Sequence, residues 1–241
     1  MAKTLGILGG LGPAAGFRFC GLITDHTLAK RDQDHLDIVL ISSASIPDRS
    51  EYILGQSKNS PLPAMTEAVN KLIACGADII AIPCNTAHYF YDEIEKNASV
   101  PVLNIVKETA SLAKKAGIHK IGIMATTGTV NAGAYQRACE ETGIAYLLPC
   151  EASQKKLMDM IYGSIKTAGA LNTEDFLSLA EELRQKGAEA IILGCTELSL
   201  IPATEAFEKY CFIDSLLVLA AKSIRECGKT PYGFSEIYSL I

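Results

Sequence analysis

Short apolar runs alternate with amphipathic stretches along the whole chain. The runs at 5–9 (LGILG), 37–42 (DIVLIS), 78–82 (DIIAI) and 100–103 (VPVL) predict four buried strands. A second set of four lies at 120–125 (KIGIMA), 144–148 (IAYLL), 189–193 (EAIIL) and 211–213 (CFI). Helical periodicity fills the gaps at 64–75, 104–116, 131–142, 153–168, 173–186 and 214–226, and Pro13 opens a further helix after the first strand. Strand alternating with helix predicts parallel sheets covered by helices on both faces. Residues 43–63 (SASIPDRSEYILGQSKNSPLP) form the one long irregular stretch, of a length that usually marks a functional cover or disorder.

The pattern also repeats. Residues 71–86 (KLIACGADIIAIPCNT) and 182–197 (ELRQKGAEAIILGCTE) align without a gap at an offset of 111, with five of 16 positions identical. The identities are Leu72/Leu183, Gly76/Gly187, Ala77/Ala188, Ile80/Ile191 and Cys84/Cys195. TLGILGGLGP (4–13) matches KIGIMATTGT (120–129) at an offset of 116, and VPVLNIVKETA (100–110) matches YCFIDSLLVLA (210–220) in pattern. Two similar α/β lobes follow, each a parallel-sheet α/β/α sandwich, related by a pseudo-twofold axis with a cleft between them. The expected division is 1–104 for the first lobe and 105–213 for the second.

In each lobe the repeat ends on a thiol at the carboxyl tip of a strand, where open α/β sheets bind ligands. Two facing lobes bring two thiols to one cleft, an arrangement suited to moving a proton from one face of a small molecule to the other. Asn85 or Thr86, and Thr196, are good helix N-cap types. A thiol just before a helix N-terminus is expected to have a lowered pKa. Taken singly, either cysteine reads as a buried strand-end residue; the matched pair favours chemistry.

Composition narrows the classes. The chain of 241 residues is 49% hydrophobic and 20% charged, with a net charge of −5, so it has no broad basic footprint for nucleic acid. No apolar run approaches a membrane span, and MAKTLGILGG lacks the pattern of a secretory signal, so a cytoplasmic protein is expected. The eight cysteines are scattered without a C-x-x-C pair or zinc-ligand spacing, so no metal is expected. Gly10-x-Gly12-x-x-Ala15 fits a loose dinucleotide fingerprint. Pro13 and the missing acidic residue after the second strand argue against it. Both Gly turns, with the hydroxyls of Thr126, Thr127 and Thr129, instead suit a small carboxylate. Arg49, Lys166, His88 and Glu197 carry no role from composition alone; His88 reads equally as structural or as tuning the thiol, and Glu197 as an ammonium acceptor or as charge at a helix start.

These residues together resemble the aspartate/glutamate racemase family, specifically its aspartate racemase branch. The matching segments are GILGGLGP, KRDQDH, IPDR, YILG, GADIIAIPCNTAHYFYD, VPVLNI, ATTGT and GAEAIILGCTEL, from Leu5 to about Asp214. The resemblance implies a cofactor-independent enzyme acting on a small, dicarboxylic amino acid. It also implies a homodimer and a C-terminal segment, 214–241, that returns to complete the first lobe. By position, Cys84 and Cys195 match the catalytic thiols, with Cys195 facing the L-isomer's proton and Cys84 the D-isomer's. Arg49 and Lys166 match residues used for the side-chain carboxylate. Asn85, Thr86, Thr127 and Thr196 match groups around the amino-acid carboxylate and ammonium. The first turn lacks the acidic Asp-Ser of the glutamate racemase branch, and the second cysteine is followed by Thr-Glu instead of Thr-His; both favour aspartate. The same scaffold also resembles maleate isomerases and arylmalonate decarboxylases, and a non-catalytic amino-acid-binding protein is the alternative outside enzymes.

Overall fold

Apolar runs bounded by turns pair where both of their faces can be covered. In the computed structural model, which describes residues 3–167, 173–201 and 209–241, they build two parallel sheets. The first holds β1 (Leu5–Gly9), β2 (Ile38–Ser42), β3 (Ile79–Ala81) and β4 (Val102–Leu103) in the order β2-β1-β3-β4. The second holds β5 (Lys120–Ala125), β6 (Ala145–Leu147), β7 (Ala190–Gly194) and β8 (Phe212–Asp214) in the order β6-β5-β7-β8. The identical order is the repeat in three dimensions, and all eight predicted strands lie within two residues of their observed bounds. In each sheet the chain leaves the first strand in one direction and later returns on its other side. That reversal opens a crevice at the carboxyl ends of β1 and β3, and of β5 and β7.

Ten α-helices are described: α1 (Pro13–Asp25), α2 (Arg49–Ile53), α3 (Leu62–Ala74), α4 (Tyr91–Asn97), α5 (Ile105–Lys115), α6 (Thr127–Asn131), α7 (Ala134–Thr142), α8 (Glu151–Asp159), α9 (Thr173–Gln185) and α10 (Ser215–Glu226). Alternating strand positions face different layers. Leu5, Ile7, Ile121 and Ile123 join α1, α5, α7 and α10 in one core shared by both sheets. Leu8, Ile80 and Ile82 pack outward on α3, and Met124, Ile191 and Leu193 pack outward on α9. The repeat extends to the caps of the shared helices: Asn104 accepts the Val106 and Lys107 amides, and Asp214, at the matching place, accepts those of Leu216 and Leu217.

Three expectations change. The irregular stretch 43–63 contains α2, started by the Asp48 carboxylate accepting the Glu51 N–H. The 131–142 helix is split at Gly133, whose φ of +67° favours glycine. The expected 153–168 helix is α8 followed by a π-helical segment, Met160–Ile165, in which Lys166 N–H donates to Ile161 O at 3.0 Å; residue 168 lies outside the described residues. The chain end runs along the C-terminus of α1, with Leu28 N–H donating to Thr230 O and Tyr232 N–H to His26 O.

Buried hydrogen bonds join the two sheets where their tips meet. Thr86 lies 2.9 Å from Thr126 and 2.8 Å from Thr129, hydroxyl to hydroxyl. Tyr135 donates its hydroxyl to Asn85 Oδ1 at 2.6 Å, Asn85 Nδ2 donates to Ser215 Oγ, and Ser215 donates to Leu193 O. Tyr135→Phe keeps the ring and strands Asn85 Oδ1 without its donor. We expect it to lower unfolding free energy by about 1–3 kcal/mol in a urea titration. An unchanged midpoint would show that this bond does not hold the lobes together.

Candidate active site

Cys84 lies three residues beyond β3, and Cys195 directly follows β7, so both thiols occupy the crevice ends of their sheets. The sheets face each other, and the two thiols line one narrow cavity. Its other walls are Leu11, Asp48, Arg49, Ser50, Asn85, Thr86, Thr126, Tyr162, Lys166, Thr196 and Glu197. The thiol residues are only 6% and 5% exposed. A wider, open recess shares Asp48, Arg49, Lys166 and Glu197 with this cavity, so those four charged residues stand between the thiols and the outside.

Of the predicted residues, Cys84, Cys195, Arg49, Asn85, Thr86, Lys166, Thr196 and Glu197 come together here. Thr127 does not: its hydroxyl accepts from Gln154 Nε2 and its amide points at Met158 Sδ, while Thr126 takes the place at the cavity wall. Tyr162, Asp48 and Ser50 are additions. Asp48 and Ser50 flank Arg49 in sequence, and Tyr162 precedes Lys166 by four residues, a spacing that pairs side chains on a helix. Tyr162 donates its hydroxyl to Ser50 at 3.1 Å across the cleft, and Lys166 Nζ sits 4.0 Å from the centre of its ring.

Two glycines set how closely the sheet tips approach. A Cβ on Gly12 would stand 2.5 Å from Glu197 Oε1, and one on Gly128 would stand 2.6 Å from Ser50 Oγ. A Cβ on Gly10, at φ +90°, would stand 2.4 Å from the Ser43 backbone. The first Gly turn is thus accounted for by packing within the chain. Arg49 is pinned by backbone carbonyls: it donates to Leu11 O, Pro47 O and Ile46 O, and its Nε is buried without a partner. Glu197 accepts from Cys195 Sγ through Oε2 at 3.0 Å, and its Oε1 is buried without a hydrogen bond, 3.9 Å from Lys166 Nζ.

The expected capping and thiol activation are both corrected. Asn85, whose amide is committed to Ser215 and Tyr135, makes no side-chain cap to the short 3₁₀ turn Thr86–Phe90. Thr196 donates instead to Pro83 O of the other lobe. The Ala87 N–H does favour the Cys84 thiolate, yet burial outweighs it and pushes this thiol up. Arg49 pulls it back, and Glu197 adds to the rise. Burial pushes Cys195 up well above its ordinary value, and Glu197 pushes it further. For Lys166, burial works against the charge, but the facing Glu197 raises its pKa overall. Among the described residues no group of three or more His, Cys, Asp or Glu side chains could hold a metal.

Known proteins share this architecture. The sequence model of the Asp/Glu/Hydantoin racemase family matches residues 8–222. The chain belongs to that family. A broad-specificity amino-acid racemase, RacX, from Bacillus subtilis (strain 168) is 30% identical over 207 residues, covering 82% of this chain and 86% of that protein. The structure of an aspartate racemase from Picrophilus torridus superposes with a TM-score of 0.83 at 31% identity, covering 99% of this chain and 98% of that one. A glutamate racemase from Francisella tularensis, solved with D-glutamate, has a TM-score of 0.65 at 19% identity and covers 93% of this chain and 81% of that one; it shares the fold. These relatives are isomerases, and so is this enzyme.

His88, in the same PCNTAH segment as Cys84, holds the backbone beneath that thiol. Its Nε2 accepts the Ile105 N–H at 3.2 Å, so Nδ1 carries the proton and donates to Cys84 O at 2.9 Å. Burial lowers its pKa below the ordinary 6.5, because the charged ring loses water and Nε2 is already an acceptor. The stability this provides is complete above pH 6.5 and is lost as pH falls, since the unfolded chain takes the proton first. Urea titrations at about pH 7.5 and 5.5 should show a smaller loss for His88→Asn than for the wild type. Equal losses would remove His88 from the acid response.

Proposed function

We propose that this enzyme racemises aspartate, or a similarly small amino acid, by two-base proton transfer between Cys84 and Cys195. The observation that carries this reading is the placement of both thiols, from matching positions of the two lobes, on one narrow cavity. The residues that line it also carry two buried atoms without a hydrogen bond, Arg49 Nε and Glu197 Oε1, the latter 3.9 Å from Lys166 Nζ. An unsatisfied buried cationic donor and an unsatisfied buried anionic acceptor complement a zwitterion, which brings a carboxylate and an ammonium. The aspartate preference draws on the name of the Picrophilus relative and on Arg49 and Lys166, two cations able to receive a second carboxylate.

In this scheme the substrate's α-carbon sits between the sulfurs. One thiolate takes the α-proton, and the opposite thiol delivers its own proton to the other face. The α-proton is a very weak acid, so a thiol whose pKa burial has raised is the better-matched base once ionised. Negative charge that builds on the substrate carboxylate is met by Thr86 and Thr126 and the remaining amide hydrogen of Asn85, at the sheet tips. Arg49 and Lys166 offset the repulsion between an acidic substrate and Glu197 and Asp48. Burial in a narrow cleft keeps water from competing for these donors.

The test follows each pure enantiomer in heavy water with Cys84→Ser and Cys195→Ser. Each single variant should lose interconversion by at least about a hundredfold, as removal of one acid–base partner does. Arg49→Ala should weaken the response to aspartate through KM. Near wild-type interconversion by either cysteine variant would refute the two-thiol scheme.

A further inference from the structure

The two lobes repeat each other, but the sites around their thiols differ in one decisive place. At the 111-residue offset, Glu197 corresponds to Thr86. Thr86 is tied into the Thr126 and Thr129 hydroxyls. Glu197 instead turns its carboxylate onto Cys195, 3.0 Å from the sulfur, with both residues buried. Among the described residues Cys84 has no side-chain acceptor for its proton; it faces the Arg49 guanidinium and the Ala87 amide. We propose that Glu197 is a positioning residue that keeps the proton on Cys195, so that the free enzyme rests with Cys195 as the acid and Cys84 as the base. This assignment of acid and base rests on the racemase reading above.

The geometry around Glu197 fits a fixed hydrogen-bond acceptor. Gly12 of the opposite lobe closes over Oε1, and Thr196 Oγ1 lies 3.4 Å from Oε2, leaving the carboxylate little room to turn from the thiol. The charged and titratable groups around the pair are Lys166 and Tyr162 of the π-helical region, Arg49 and Asp48 across the cleft, and Cys84 itself. Lys166 Nζ lies 3.9 Å from Glu197 Oε1, on the side of the carboxylate away from the thiol. Enantiomers have equal free energy in water, so kcat/KM must be the same in both directions whatever Glu197 does. Its effect therefore shows in the protonation of the free enzyme, and that is where it is best measured.

The experiment alkylates the free enzyme with iodoacetamide between about pH 7 and 9, follows each cysteine by peptide mass spectrometry, and uses no substrate. Only the thiolate attacks, displacing iodide, so relative rates report which thiol has lost its proton. Cys84 should react at least about tenfold faster than Cys195 in the wild type. Glu197→Gln keeps the side chain's size and removes its charge; it should bring the two rates to within about threefold by speeding Cys195 more than Cys84, because only Cys195 is hydrogen-bonded to it. Gly12→Ala acts from the other lobe: its backbone, at φ −94° and ψ 142°, accepts alanine, and the new methyl displaces Oε1. It should narrow the ratio in the same direction without touching either thiol. A wild-type Cys195 that reacts as fast as Cys84 would overturn the proposal, as would a ratio that neither variant changes. Racemisation assays are separate: their failure removes the functional reading without moving the alkylation ratio.

Discussion

The approach of the sheet tips at Gly12 and Gly128 governs the rest of the site. With no side chain at either position, Glu197 packs against one Gly turn and Ser50 against the other. That spacing brings Thr86 within reach of Thr126 and Thr129, and Thr196 within reach of Pro83 O. Polar groups at the strand ends thereby find partners across the cleft instead of water. A buried cavity with charged walls is tolerable only because nearly all of those groups are satisfied. The exceptions among the residues that line it, Arg49 Nε and Glu197 Oε1, are the places where a ligand gains most.

The same enclosure sets the chemistry of the thiols. In water a helix-terminal amide would favour the thiolate, but here desolvation is the larger effect at both sulfurs. The consequence is a pair of reluctant acids that become strong bases on ionising, which suits abstraction of a weakly acidic carbon-bound proton. Arg49 and Glu197 then make the two sulfurs unequal within a nearly symmetric frame. The fold supplies the symmetry that two-faced proton transfer requires, and one carboxylate breaks it.

Much of this was legible in the chain before any coordinates. The eight strands stand out because strands buried on both faces are continuous apolar runs, and the Cys84/Cys195 repeat located both thiols. What escaped depends on tertiary contact. Asn85 and Thr196 have the side chains of helix caps, yet their partners lie in the other lobe, beyond the reach of local pattern. Thr126 and Thr127 are neighbours in ATTGT, and only the orientation of the turn decides which meets the cavity. The π-helical segment is hidden because 153–168 has ordinary helical periodicity, although Tyr162 was within reach through its four-residue spacing from Lys166. The rise in thiol pKa follows from burial, which the position of a helix start does not reveal.

The central claim is that a substrate carbon is held between two sulfurs in one narrow cleft. A crystal structure with bound aspartate tests it most directly. The account predicts the α-carbon between Cys84 Sγ and Cys195 Sγ, with the sulfurs on opposite faces and Arg49 Nε on a carboxylate. Aspartate bound in the outer recess, or with both sulfurs on the same side of the α-carbon, would contradict it.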